Sequence, residues 1–153
     1  MGQEIGQSSP FPPAVGYDVF SSLFHMVFRA NDNSNRILYA TSPDGQNWTL
    51  GPDTGQTSGA APALVVSQGD VEHWLLLLLV FVANDPSNRI LYSILDLLDD
   101  PNTRGWRYIG QLGGESAQGV SCLGLRGPGE VTVYFTANDP SNRLLEHTFI
   151  PYP

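Results

Sequence analysis

A carboxylate, a hydroxyl, carboxamides and a guanidinium recur together three times in this chain: ANDNSNR over residues 30–36, ANDPSNR over 83–89 and ANDPSNR over 137–143. Asp32 with Arg36, Asp85 with Arg89, and Asp139 with Arg143 each set an acceptor pair near a planar five-donor fork, and Asn35, Asn88 and Asn142 add a carboxamide beside each pair. Groups of this kind grip neutral hydroxylated ligands, because carboxylate and guanidinium bind two neighbouring hydroxyls at once and a carboxamide both donates and accepts. The same string is also a turn in its own right. Asn and Asp side chains bond nearby backbone, Pro86 and Pro140 preset φ, and the Arg can pair with its own Asp. Sequence leaves both roles open.

Other chemistries are poorly supplied. One carboxylate per loop is few for calcium, and His25, His73 and His147 have no metal-ligand spacing, so no metal and no cofactor is expected. A glycoside hydrolase needs a pair of carboxylates in one asymmetric pocket. Of seven Arg, three sit in the repeated loops, and Arg29, Arg104, Arg107 and Arg126 have no repeated carboxylate pair. Repetition favours several weak equivalent sites acting through avidity, which is binding and not catalysis. Cys122, in the apolar context Val120-Ser121-Cys122-Leu123, reads as a small hydrophobe and not as a nucleophile.

Charge narrows the partners. Fifteen acids against seven Arg, with no Lys and a net charge of −8, omit the basic footprint of a nucleic-acid or anionic-lipid binder. The apolar run Trp74–Val82 is too short to cross a bilayer as a helix, so no membrane insertion is expected. The first nine residues show neither a basic nor an apolar signal region, and Gly6 stands where a myristoylation box needs Ser or Thr. Location stays unknown, with the cytoplasm or non-classical secretion as the expectations.

The spacing between Asn31, Asn84 and Asn138 is 53 and then 54 residues, which marks an internally repeated fold in a single domain. Sixteen Gly and twelve Pro between short runs of Val, Leu, Phe and Tyr point to an all-β protein. In the second repeat, strands are expected at 62–66, 74–82, 89–93 and 106–109, with turns at 67–70, in the heptapeptide and at 99–105. The run 74–82 is apolar at every position and should lie between two layers. The first repeat offers 14–15, 23–28, 36–41 and 48–50, with Asp44-Gly45 in its last hairpin. The third offers 120–125, 130–136 and 143–149 and no fourth strand. The missing strand is expected at residues 2–9, whose Gly6-Gln7-Ser8-Ser9 resembles Gly110-Gln111 and Gly55-Gln56-Thr57-Ser58. Repeats then run over about 10–58, 59–113 and 114–153, the last closed by the N-terminal strand.

Four-stranded repeats of this length match the blades of a β-propeller, and three blades are too few to close a ring. The expectation is a homodimer: six blades from two chains, with strand exchange or N-terminal strand closure. A monomeric β-trefoil is the alternative. On a propeller, the heptapeptides share a rim with the segments between blades, which brings Gln7, Gln56 and Glu115 to the same clefts. Trp48 and Trp106 begin fourth strands on the other rim and are expected to pack blades.

Two family resemblances follow. Ser42-Pro43-Asp44-Gly45-Gln46-Asn47-Trp48 resembles the Asp box of sialidase-like propellers, a Ser-x-Asp-x-Gly-x-x-Trp hairpin. Repeat two keeps Asp99 to Trp106 of that pattern, and repeat three lacks it. The short repeated chain is also similar to small lectins that associate into six-bladed propellers and bind sugars between blades. Fucose-binding members use an Arg on the second strand, a Glu on the third and a Trp. At comparable places this chain has His25, Leu77 or Val133, and Glu146 as its one acid, so the resemblance leaves the sugar open. The function expected is a multivalent carbohydrate-binding protein with glycan partners. The alternatives are a protein-interaction propeller module and a degenerate sialidase-like hydrolase.

Overall fold

A computed structural model describes residues 6–68, 75–100, 104–116, 118–124 and 130–151. Its eleven strands are β1 (Ala14–Asp18), β2 (Leu23–Arg29), β3 (Ile37–Ser42), β4 (Thr49–Leu50), β5 (Ala63–Gln68), β6 (Leu75–Val82), β7 (Arg89–Asp96), β8 (Arg107–Glu115), β9 (Val120–Gly124), β10 (Val131–Thr136) and β11 (Leu144–Phe149). They form antiparallel meanders in the orders β1-β2-β3-β4, β5-β6-β7-β8 and β11-β10-β9, with no helix among the described residues. Each repeat thus makes its own sheet, which is blade topology and lacks the barrel shared by the repeats of a trefoil. The expected strand at residues 2–9 falls partly outside the described residues, and Gly6–Ser9 make no strand within this chain. His73, Trp74 and most of the turn between β5 and β6 also lie outside them.

Alternation along β6 explains how the sheets stack. Every residue from Leu75 to Val82 is buried. Leu77, Leu79 and Phe81 pack with Val27, Ile37 and Tyr39 of the first sheet, while Leu78, Val80 and Val82 pack with Val131, Val133 and Phe135 of the third. Successive side chains of a strand point to opposite faces, so a strand apolar at both parities needs a layer on each side. The second sheet is therefore the middle one. The inner strands follow the same order, β5 packing on both β1 and β9.

The first sheet buries Met26, Phe28 and Ala40 on its other face, with Trp48 packed against them. Trp106 packs beside Tyr39, its ring edge-on with centroids 5.5 Å apart. Both indoles are thus packing residues, as their place at the start of fourth strands implied. Cys122 packs against the core between the second and third sheets, and burial pushes its thiol up to about 12.

Fourth strands differ between repeats for a local reason. β8 runs well past the expected 106–109 and reaches Glu115 opposite Arg89, through two irregularities in register. β4 ends at Leu50 with Gly51-Pro52 following: the Gly51 amide adds one more bond, to the Tyr39 carbonyl at 2.9 Å, where a Cβ would lie 2.5 Å from the Tyr39 ring, and Pro52 then fixes φ. Beyond it the Thr54 hydroxyl donates to the Ile37 carbonyl at 2.6 Å, and strand pairing resumes at an isolated bridge, Arg36 with Thr57.

Leu78→Ala should cost about 2–5 kcal/mol, because it opens a hole against the third sheet, whereas exposed Glu146→Ala should stay within about 0.5 kcal/mol. Urea unfolding followed by tryptophan fluorescence measures both. Equal stability of the two variants would contradict the layered order.

Candidate functional site: the repeated loops and the clefts between sheets

All three heptapeptides fold alike. The Ala30, Ala83 and Ala137 amides donate to the Arg36, Arg89 and Arg143 carbonyls, each at 2.8 Å. Asp32 Oδ1 accepts the Ser34 amide at 2.9 Å, and Asp85 and Asp139 accept those of Ser87 and Ser141 at 2.8 Å. The same three carboxylates accept the serine hydroxyls. These bonds hold all three carboxyls below their ordinary value of 3.8. Asn35, Asn88 and Asn142 take φ of 56°, 52° and 49°, the left-handed conformation that Asn tolerates better than other side chains.

The arginines divide. Arg89 pairs with Asp85 at 3.4 Å and Arg143 with Asp139 at 3.2 Å, whereas Arg36 turns to Asp53 at 3.6 Å. Pairs this exposed add little stability. The polar side chains of the motif are thus largely engaged within the loop, the geometry of a turn.

Each of the first two loops is stitched to the segment leading to the next sheet. The Ser58 amide donates to the Asn35 carbonyl at 3.0 Å, and the Ser116 amide to the Asn88 carbonyl at 2.8 Å. The Ile37 amide donates to the Gln56 carbonyl at 2.9 Å. Consecutive loops also touch, Asn35 Nδ2 donating to Asn84 Oδ1 at 3.1 Å. Gln56 and Glu115 thus lie beside the loops as expected. Glu115, Asn138 and Asp139, with Gly114 and Phe135, line an open cavity of about 390 Å³. Gln7 instead lines, with Ser8 and Ser9, a cavity of about 210 Å³ beside Met26 and Phe28 of the first sheet.

A second cleft opens at the other end of the sheets, between the first and second. Asp18, Ser21, His25 and Arg104 line a cavity of about 310 Å³ with Phe20 and Leu98 at its mouth. Asp18 is buried and accepts the Phe20 amide at 2.8 Å and the Ser21 hydroxyl at 2.5 Å. Arg104 donates to the Leu97 and Asp99 carbonyls at 2.5 and 2.9 Å, which fixes its guanidinium. His25 is 2% exposed, and its Nδ1 lies 2.7 Å from the Tyr39 hydroxyl. Its Nε2 has no hydrogen-bond partner. Burial lowers the His25 pKa from 6.5, with Asp18 opposing that and Arg104 reinforcing it, so the ring is neutral at pH 7. A buried imidazole nitrogen without a partner is costly and uncommon in a folded chain.

This cleft escaped the sequence because its parts come from the β1–β2 turn, β2 and the segment after β7. His25 was expected to be an ordinary satisfied histidine, and only half of it is. Of the other positions set beside fucose-lectin residues, Leu77 and Val133 are fully buried in the core and stand one residue away from the true equivalents of His25, Leu78 and Thr132, and Glu146 is exposed on β11. No cluster of three or more His, Cys, Asp or Glu able to hold a metal occurs among the described residues.

Comparison of whole folds places this chain. A fucose lectin from Kordia zhangzhouensis, solved with methyl-fucoside, superposes with a TM-score of 0.62 at 12% identity, over 91% of this chain and 92% of that one. The fold is shared. The lectin of Aleuria aurantia, as a point variant solved with α-methyl-L-fucoside, superposes with a TM-score of 0.63 at 16% identity, over 92% of this chain and 43% of that one. No family model and no curated protein matches the sequence.

Asn88→Val should destabilise the fold by about 1–2 kcal/mol, because a β-branched residue resists positive φ, and Asn88→Gly should be nearly neutral. Chemical denaturation decides between them. The three loop aspartates also predict a pH dependence. Their depressed pKa values give stability that is present above the unfolded value of 3.8 and lost as pH falls through the lower folded values. Melting temperature of the wild type should therefore fall more steeply below pH 4 than that of the D32N/D85N/D139N triple variant. Parallel curves would show that the carboxylates do no work in the loops.

Proposed function

We propose that this chain is a non-catalytic, multivalent carbohydrate-binding protein. Two chains assemble into a six-bladed propeller, with sugar sites between blades. The observation that carries the reading is the cleft containing His25: an unsatisfied buried imidazole nitrogen beside a fixed guanidinium and a buried carboxylate, next to exposed apolar surface. Sugars match that combination. A pyranose offers hydroxyls that donate and accept together with a C–H face that stacks on apolar surface, here Phe20 at 68% exposure and Leu98 at 62%. The fold shared with two lectins solved with methyl-fucosides supports the same class of ligand, and a 6-deoxy sugar would set its methyl group against Leu75 and Leu97.

On this reading the Asp box survives in the hairpin Ser42–Trp48, where Asp44 accepts the Gln46 and Asn47 amides at 2.8 and 2.7 Å. The repeated loops contribute at the opposite rim, where Glu115, Asn138 and Asp139 offer a shallower polar place for a longer glycan. Arg36, Arg89 and Arg143 edge that rim.

Titration with α-methyl-L-fucoside and a panel of monosaccharides, beside a glycan array, tests the proposal. His25→Phe keeps the ring volume, removes Nε2, and should weaken binding about 10-fold or more. The R36A/R89A/R143A triple variant should weaken longer glycans while the assembly persists. Silence across the array from a folded assembly would reject the carbohydrate reading.

A further inference from the structure

The first two sheets are finished in the same way, and the third is not. At the first loop, the Ser58 amide donates to the Asn35 carbonyl, the Ile37 amide donates to the Gln56 carbonyl, and Thr57 lies opposite Arg36. At the second, the Ser116 amide donates to the Asn88 carbonyl and Glu115 lies opposite Arg89. The third loop has the same internal bonds and the same left-handed asparagine, Asn142. No strand pairs with the outer edge of β11 among the described residues, and Leu144 at the start of that edge is 75% exposed.

Residues Gln7–Ser9 carry the missing piece. The Phe11 amide donates to Ser9 Oγ at 3.3 Å, as Ala60 does to Ser58 Oγ at 3.2 Å and Gln118 to Ser116 Oγ at 3.3 Å. Each of these serines stands five residues before an equivalent position of an inner strand: Ala14 opposite Val27, Ala63 opposite Val80, Ser121 opposite Tyr134. Ser9 is therefore the counterpart of Ser58 and Ser116, with Ser8 the counterpart of Thr57 and Glu115. Among the described residues its own chain gives it no loop to stitch. Gln7–Ser9 border a cavity on the first sheet, beside Met26 and Phe28, and the second sheet stands between that sheet and the third.

We infer that Gln7–Ser9 of a second copy of this chain complete the edge of the third sheet, reciprocally, so that each copy finishes the other. This rests on the two-chain ring proposed above and names the residues that join it. Transferring the first loop's pattern, the Ser9 amide of one copy donates to the Asn142 carbonyl of the other, the Leu144 amide donates to the Gln7 carbonyl, and Ser8 stands opposite Arg143. Two such exchanges close a two-fold assembly and leave no third edge open. Leu123 and Leu144, 57% and 75% exposed on the outward face of the third sheet, then meet the first sheet of the partner. The third loop's cleft gains Gln7 and Ser8 as its wall, as Gln56 and Thr57 wall the first.

Ser8 and Arg143 would form a pair without mutual hydrogen bonds, the arrangement that brings Cβ atoms close enough for a disulfide. The S8C/R143C variant under mild oxidation should yield a covalent species of about 33 kDa, twice the 16.6 kDa chain, which neither single variant gives. A disulfide within one chain, or none in a variant with wild-type circular dichroism, would overturn the inference. Should the double variant misfold, Ser9→Pro set against Ser9→Ala decides the matter, because both lose the hydroxyl that accepts the Phe11 amide and only the proline also loses the N–H. Sedimentation should then show dimer affinity weakened at least 10-fold in the proline variant relative to the alanine variant, and equal dissociation constants would overturn the inference. No glycan enters either measurement, so loss of the carbohydrate reading would leave this result standing.

Discussion

Everything in this fold depends on how a sheet disposes of its last edge. An uncovered strand presents unpaired amides and carbonyls, and the first two repeats meet this by handing the loop carbonyl to the serine amide of the segment that leads onward. The left-handed asparagine makes the transfer possible, because positive φ turns the carbonyl out of the loop while the aspartate and serine hold the turn from behind. One heptapeptide therefore recurs three times with the same internal turn. It is first a fastening.

That fastening frees the other end of the sheets. The β1–β2 turn and the segment after β7 carry no repeated motif, and it is there that the chain keeps a buried imidazole, a buried carboxylate and a fixed guanidinium around one cavity. The equivalent positions in the other sheets are apolar or hydroxylic: Leu78 and Thr132 stand where the first sheet has His25. Architecture repeats, and the deep cleft does not. On the proposed two-chain assembly, multivalency would come from pairing chains more than from copies within one chain.

Much of this was legible from residue order. Alternation, Gly and Pro placed nearly every strand to within a few residues, and the unbroken apolar run of β6 implied a layer on each face, which the two core clusters supply. The tryptophans as packing residues and the heptapeptide as a turn were legible too, because local chemistry decides both. The reach of β8 was not, since it depends on where Arg89 stands and on glycines that let the strand shift register. Nor was the His25 cleft. His25 and Arg104 are distant in sequence, and only the stacking of the first two sheets puts them on one cavity.

Amide hydrogen exchange across a concentration series tests the central claim most directly, because it reads the fastening bonds one by one. The Ser58 and Ser116 amides should be protected at every concentration. The Ser9 amide should be protected at high concentration and lose that protection on dilution as the partner departs. Exchange of Ser9 at the rate of an unstructured peptide throughout, with Ser58 and Ser116 still protected, would contradict the account.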